Sequence, residues 1–189
     1  MAGQHNFTCD QGATFSRTPR WSTRDETTDP QRSVSDLVTN GTTTVTSATA
    51  NFTANDVQRE IAGTHIPSGA YIASFTNSTT VVISAAATGT GTGGNLTIKS
   101  DRRVNLTGYT ARLQVRRTKT HPDTLVSLTD ASGITLGAAA GTIAILIAAA
   151  TTTTLPAGVW VYDLELISGA GLVTRLLEGR FQVVGEVTR

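Results

Sequence analysis

Two apolar runs near the C-terminus, residues 159–167 and 174–187, constrain the fold of this chain more than any other feature. The first alternates strictly, with Trp160, Tyr162, Leu164 and Leu166 on one parity and Asp163 and Glu165 on the other. Successive side chains of a strand point to opposite faces, so this period of two predicts a half-buried strand. Ser168, Gly169, Ala170 and Gly171 follow, and two glycines there suit the positive φ angles of a tight or bulged hairpin turn. The second run returns with Val173, Arg175, Leu177, Gly179, Phe181 and Val183 on one parity, against Leu176, Glu178, Arg180, Gln182 and Val184. The pattern predicts a C-terminal hairpin whose buried face holds Trp160, Tyr162, Leu164, Leu166, Leu177 and Phe181, packed with Tyr109, Leu113 and Ile145.

The rest of the chain reads as further short strands. Phe7 and Cys9 alternate with polar neighbours, Asp10, Gln11 and Gly12 form a turn, and a second segment runs from Phe15 to Trp21. Residues 22–35 are polar and read as a linker or exposed loop. From residue 33 to residue 100 threonine and alanine dominate, with short strands expected at 42–46, 57–63, 70–75, 80–84 and 95–99. The run of threonines and glycines at 88–94 offers few side chains to pack and is expected to be a flexible loop. At Asp101 the character reverts, and Ala111, Leu113 and Val115 alternate with Arg112, Gln114 and Arg116. The expected fold is all-β: an Ig-like antiparallel β-sandwich formed by residues 1–32 and 101–189, interrupted by an inserted small β domain at 33–100.

Composition narrows the functional classes. The formal charge of +1 over 189 residues gives no electrostatic basis for a nucleic-acid partner. Charged residues make up only 15%, which leaves few gatekeepers on strand edges and points to homo-oligomeric assembly. The opening Met-Ala-Gly-Gln-His-Asn-Phe-Thr has no basic stretch leading into an apolar core, so no secretory signal is expected, and no apolar run is long enough for a membrane helix. The Asn-x-Ser/Thr triplets at Asn6, Asn40, Asn51, Asn77, Asn95 and Asn105 are read as chance matches in a threonine-rich chain.

No residue emerges with a catalytic, cofactor-binding or metal-ligating role, and no cofactor is expected. Cys9 is the single cysteine and reads as a buried, inert thiol. His5, His65 and His121 lie in separate segments with no ligand spacing. Residues 105–109, Asn-Leu-Thr-Gly-Tyr, lack the helix and lysine of a phosphate loop and read as a bend that brings Tyr109 into the core. Asp163 and Glu165 share a strand face, as acid–base or calcium-binding carboxylates can, but pairing with Arg175 or Arg180 on the next strand is the simpler reading. Arg112 and Arg116 read as a solvated strand face, and Trp160 as core.

Three stretches resemble a family of small structural proteins of tailed bacteriophages: Gln11-Gly-Ala-Thr-Phe15, residues 105–116, and Tyr162-Asp-Leu-Glu-Leu with Thr174-Arg-Leu-Leu-Glu-Gly and Glu186-Val-Thr-Arg189. The expected architecture is similar to the N-terminal sandwich of baseplate upper proteins, which attach receptor-binding fibres to the tail. Residues 42–52, 66–69 and 79–84 resemble a small β domain repeated in phage tail fibres. The resemblance implies a non-enzymatic virion protein of the tail, neck or fibre-attachment region, assembled in the bacterial cytoplasm, with other phage structural proteins as partners. A capsid decoration protein is the alternative. A carbohydrate-binding module recognising a host-surface glycan through Tyr71 or Trp21 is a third reading.

Overall fold

The computed structural model describes residues 2–24 and 26–187. Its strands begin with Gly3–Gln4 (β1), Phe7–Asp10 (β2), Phe15–Arg17 (β3), Ser22–Arg24 (β4), Arg32–Asn40 (β5), Thr44–Thr46 (β6), Arg59–Gly63 (β7) and Ile72–Asn77 (β8). They continue with Thr80–Ile83 (β9), Thr90–Arg103 (β10), Thr110–Arg116 (β11), Thr124–Thr129 (β12), Ile134–Gly137 (β13), Thr142–Ile147 (β14), Gly158–Ile167 (β15) and Val173–Val184 (β16). The chain is all-β, with one α-helical turn at Ala149–Thr152. It divides into two compact units, one formed by residues 1–21 and 106–189, the other by residues 22–105.

In the first unit a six-stranded sheet runs β1-β16-β15-β11-β12, with β2 also paired to β16, while β13, β14 and β3 form a second sheet. β15 and β16 are antiparallel from Gly158↔Val183 to Ile167↔Val173, and β1 and β2 lie parallel to β16. The two sheets face each other through aromatic rings. Phe7 of β2 stacks on Tyr162 of β15 at 4.7 Å and meets Phe15 of β3 edge-on at 5.5 Å, and Phe15 lies 5.3 Å from Phe181 of β16. Tyr162 keeps its hydroxyl satisfied by donating to the His5 carbonyl oxygen at 2.9 Å. Gly179 sits where the chain between β1 and β2 crosses β16: a Cβ there would stand 1.9 Å from the His5 carbonyl oxygen.

Tyr162, Leu164, Leu166, Leu113, Ile145 and Phe181 are buried as their alternation requires, but Trp160, Leu177 and Tyr109 are only half-buried. Leu106, not Tyr109, fills the core at the 105–109 bend, and Tyr109 instead meets Trp21 edge-on at 6.1 Å. The expected register also needs correction at one place. Leu164 pairs with Leu177 but Glu165 pairs with Arg175, so Leu176 is an extra residue in β16. That bulge moves Arg175 off the Leu177 parity and onto the face of Glu165.

The second unit is a closed ring. Its sheet runs β4-β10-β5-β6-β9-β8, with β7 also paired to β10. β7 reaches β8 through the Glu60↔Tyr71 bridge and the Gln58 N–H to Ile72 carbonyl bond of 2.8 Å, so no strand edge is left between them. Leu37, Val45, Phe52, Ile61, Ile72, Val81, Ile83, Leu96 and Ile98 fill the interior.

Three expectations for this region are revised. The unit boundaries fall at 21/22 and 105/106 rather than at 32/33 and 100/101, because β4 pairs with the end of β10, Ser22↔Arg103 to Arg24↔Asp101. Residues 22–35 are not all loop, since β4 and the start of β5 lie within them. The glycine run is not a flexible loop: Thr90 pairs with Asn40 and Gly91 with Thr39. Its glycines make room for His65, whose ring would stand 3.0 Å from a Cβ on Gly89 and 3.1 Å from one on Gly91.

An ionic cluster lies inside the same unit. Arg32 grips Asp56 with two bonds of 2.8 and 2.5 Å, and Arg59 Nη1 donates to Asp56 Oδ1 at 3.1 Å. Arg59 and Asp56 are each 1% exposed. Arg59 is further satisfied by donating to the carbonyl oxygens of Lys99, Pro30 and Asp29 at 2.7, 2.8 and 3.2 Å. Asp29 also holds Arg102 at 2.7 Å, which ties residues 26–31 to β10. Burial alone would raise the Asp56 carboxyl. The hydrogen bonds from Arg32 and the Thr53 N–H, with the charges of Arg32 and Arg59, outweigh it and hold the carboxyl below its usual range.

Four outcomes follow from this architecture. Phe181→Ala should cost about 3–5 kcal/mol in chemical denaturation, as an emptied aromatic core site does. Asp56→Ala should cost about 3–5 kcal/mol, because it leaves the buried Arg59 charge with only the more distant Asp29 carboxylate at 3.8 Å. The lowered Asp56 carboxyl contributes stability above its unfolded value of about 3.9. That contribution is lost as pH falls through the lower folded value, so acid unfolding of residues 22–105 should lose part of its pH dependence in Asp56→Asn. Asp36, lowered first by its bond from Ser47, adds a dependence of the same sign that the variant keeps.

The fourth concerns the units themselves. Trp21 N–H donates to the Gly141 carbonyl oxygen at 2.8 Å and Leu106 N–H to that of Ala138 at 2.9 Å, so both junctions are anchored on one turn of the first unit. Joining Trp21 to Leu106 with a short Gly/Ser linker should leave a soluble protein with a single cooperative unfolding transition, measured by circular dichroism. An insoluble or non-cooperative product would show that the first unit depends on residues 22–105.

Candidate functional site

The outward parity of β15, β16 and β11 carries polar and charged side chains, because the inward parity is taken by the core. On this face Asp163 lies opposite Glu178 and Gln114, while Glu165 lies opposite Arg175 and Arg112. The side chains border a groove of about 450 Å³, to which Arg116 and Lys119 also contribute. The volume falls in the range of small-ligand pockets, roughly 300–1,000 Å³.

Its charges are arranged by depth. Glu165 and Glu178 form the floor, with side chains 15% and 21% exposed, and Arg112, Arg175 and Lys119 form the lip at 54%, 48% and 71%. Arg112 donates from Nε to Glu165 Oε2 at 2.8 Å, with Nη2 at 2.6 Å from the same oxygen. Lys119 Nζ donates to Glu178 Oε2 at 3.0 Å, and Gln4 Nε2 donates to Glu178 Oε1 at 2.6 Å. The Lys119 bond and then the Gln4 bond hold the Glu178 carboxyl below its usual range. Arg116 is committed elsewhere. It donates to Gln114 and to the carbonyl oxygens of His121 and Pro122, both at 2.6 Å, and so pins the β11–β12 loop beside the groove.

Arg175 is placed differently. Its nitrogens lie 3.3 Å from Asp163, 3.6 Å from Glu165 and 3.7 Å from Glu178, yet none of these contacts has hydrogen-bond geometry. The Asp163/Glu165 pair singled out by spacing is therefore part of an ion-pair ladder with Arg112 and Arg175. Arg180, the other arginine considered as a partner, lies opposite Val161.

The remaining candidates do not converge. His5 packs edge-on against Phe7 at 5.1 Å, His65 Nδ1 lies 3.2 Å from the Thr39 hydroxyl, and His121 Nδ1 accepts from the Asp123 N–H at 3.2 Å. No group of three metal-ligating side chains occurs among the described residues. Cys9 is buried, and burial first, then the neighbouring Asp10 charge, pushes its thiol up, which disfavours a nucleophilic thiolate. The Arg103 guanidinium covers the Tyr71 ring at 4.4 Å, and Tyr109 meets Trp21 edge-on, so both aromatics named as sugar platforms are partly covered. Trp160 has Arg117 over its ring at 5.8 Å. Among the described residues, no helix is long and apolar enough to cross a membrane.

Lys119, Gln4 and Glu178 are the site members that spacing did not bring forward. Counted regularly from the hairpin turn, Leu177 would face Asp163; the Leu176 bulge puts Glu178 there instead, so spacing alone could not find it. No protein-family model matches the sequence, and no curated protein matches it.

Glu165→Gln should cost no more than about 1 kcal/mol, with the difference from the parent shrinking as salt is raised, because its arginine partners sit at a solvated lip. Urea denaturation at low and high salt checks this. A large loss that salt does not alter would mark Glu165 as a buried structural group.

Proposed function

We propose that this chain is a structural protein of a tailed-bacteriophage virion, located in the tail, neck or fibre-attachment region and acting by protein–protein assembly. The observation that carries the reading is where the resembling stretches fall. Residues 11–15, 162–166, 174–179 and 186–187 belong to the first unit, as does all of 105–116 except Asn105, the last residue of the second; within the first unit Gln11 joins distant parts. Its side chain donates to the Leu155 carbonyl oxygen at 2.9 Å and accepts from the Glu186 N–H at 3.1 Å. An Ig-like sandwich for this unit, and an inserted module made of residues 22–105, are part of the same proposal.

Exposed apolar side chains on the first unit support assembly. Val159 is 60% exposed on the outer face, Leu172 70% and Val173 47% at the hairpin tip, and Leu146 51% on the second sheet. Apolar side chains left on a small folded unit are candidates for burial between proteins, and symmetric copies are the common arrangement. The partners on this reading are other phage structural proteins and further copies of the chain.

The test is to purify particles from the bacterial strain that encodes the chain, detect the chain by mass spectrometry, and locate it with gold-labelled antibody. Label at the tail or neck is the expected result. Label over the capsid shell would replace the tail assignment with shell decoration, and absence from purified particles would overturn the virion reading.

A further inference from the structure

We propose that the groove on the outer face of β11, β15 and β16 binds an uncharged, hydroxyl-rich saccharide segment. This goes beyond the assembly role; the chemistry of the site does not depend on the virion reading, and only the action of many copies together does.

Several polar groups of the groove have no protein partner among the described residues. None of the five N–H groups of Arg175 makes a hydrogen bond among the described residues, although three carboxylates lie within 3.7 Å. Arg112 engages Glu165 through Nε and Nη2 and leaves Nη1 open, and Lys119 uses one hydrogen bond on Glu178. Beside these donors, Asp163 contacts Arg175 through Oδ2 and leaves Oδ1 as an acceptor, with its side chain 38% exposed. The groove therefore presents donors and an acceptor without protein partners side by side, Arg112, Asp163 and Arg175 on neighbouring strands and Lys119 on the loop after β11.

A sugar hydroxyl donates one hydrogen bond and accepts others, so two adjacent hydroxyls can bridge a guanidinium and a carboxylate at once. The lining sets four cations, Arg112, Arg116, Arg175 and Lys119, against three carboxylates, Asp163, Glu165 and Glu178, and each carboxylate already has a cation within 3.3 Å, so an anion would have to compete for cations that are in use. A cation would have to compete with Arg112, Arg175 and Lys119 in the same way. A neutral ligand avoids both competitions. Val161 is the exposed-parity apolar contact, and Tyr162 is buried beneath the sheet, so no open aromatic platform adds stacking. Affinity at one site is accordingly in the millimolar range, about −4 kcal/mol, and useful binding comes from repeated copies.

The test uses the full chain labelled with 15N and a panel of uncharged tetrasaccharides of glucose, galactose, mannose and N-acetylglucosamine, each at about 10 mM, above the expected dissociation constant. At least one should shift amide resonances in β11, β15 and β16. Arg175→Ala and Asp163→Ala should each weaken that saccharide by about tenfold, as loss of a ligand hydrogen bond to a charged group does. Gln182→Ala, on the same face outside the groove, should leave it unchanged, and thermal unfolding checks that each variant is folded. The proposal is overturned if no saccharide perturbs these strands, if sulfate shifts them and the sugars do not, or if Arg175→Ala binds as the parent does. None of these results bears on whether the chain is found in virions, so the two readings fail separately.

Discussion

The pairing of β15 with β16 sets both faces of the larger sheet. Ten rungs run from Gly158↔Val183 to Ile167↔Val173, and the single extra residue, Leu176, lets Phe181 and Leu177 keep the inward parity while Arg175 takes the outward one. Had Leu176 instead taken a regular rung opposite Glu165, Arg175 would face Leu166 on the core side of the sheet, where an unpaired guanidinium is strongly unfavourable. The inward parity then fixes the aromatic contacts that join the two sheets, Phe7 with Tyr162 and Phe15 with Phe181. The outward parity fixes the ladder of Asp163, Glu165, Glu178, Arg112 and Arg175. Core and candidate site are thus two consequences of one register.

Residues 22–105 solve the problem of strand edges differently. The first unit leaves β12 with a strand partner on one side only, β11, and blunts it by a bulge opposite Arg116 and by the Thr129–Ser132 turn. The second unit instead bends the fourteen-residue β10 so that it meets β5, β7 and β4 in turn. Its interior holds large aliphatic side chains and Phe52, and part of it is polar. Arg59 and Asp56 occupy a place where every charge must be matched, which favours one arrangement over near alternatives at little net gain in stability.

Legibility in the sequence followed how locally each feature is determined. The alternation of β15, and of Ala111, Leu113 and Val115 in β11, could be read directly because apolar residues occupy every inward position. β5 could not, since its partly inward positions include Arg32 and Asp36, whose partners Asp56 and Ser47 lie far along the chain. The glycine-rich start of β10 reads as flexible until His65 is known to lie against it. For the candidate site, Asp163 and Glu165 were legible as neighbours on one face. Arg175 was also legible as a pairing partner on the next strand, but Glu178 opposite Asp163 was not, because the bulge at Leu176 that sets it there leaves no mark on a period-two pattern. Trp160 and Tyr109 look like core by type, but they lie where the sheet ends and the core no longer covers them.

The anchoring of Trp21 and Leu106 on the turn around Gly141 has a consequence for synthesis. A ribosome makes β1, β2 and β3 well before the strands they pair with, β14 for β3 and β16 for β1 and β2. Every strand of residues 22–105 has met its partner's sequence long before that. During translation the N-terminal strands, with Phe7, Cys9 and Phe15 uncovered, therefore wait through the emergence of an entire second unit. Long-range pairing of this kind is slow and exposes sticky segments in the interval. The first three strands are four residues or shorter and carry Asp10 and Arg17 beside their apolar positions, which limits what they can recruit before β16 arrives.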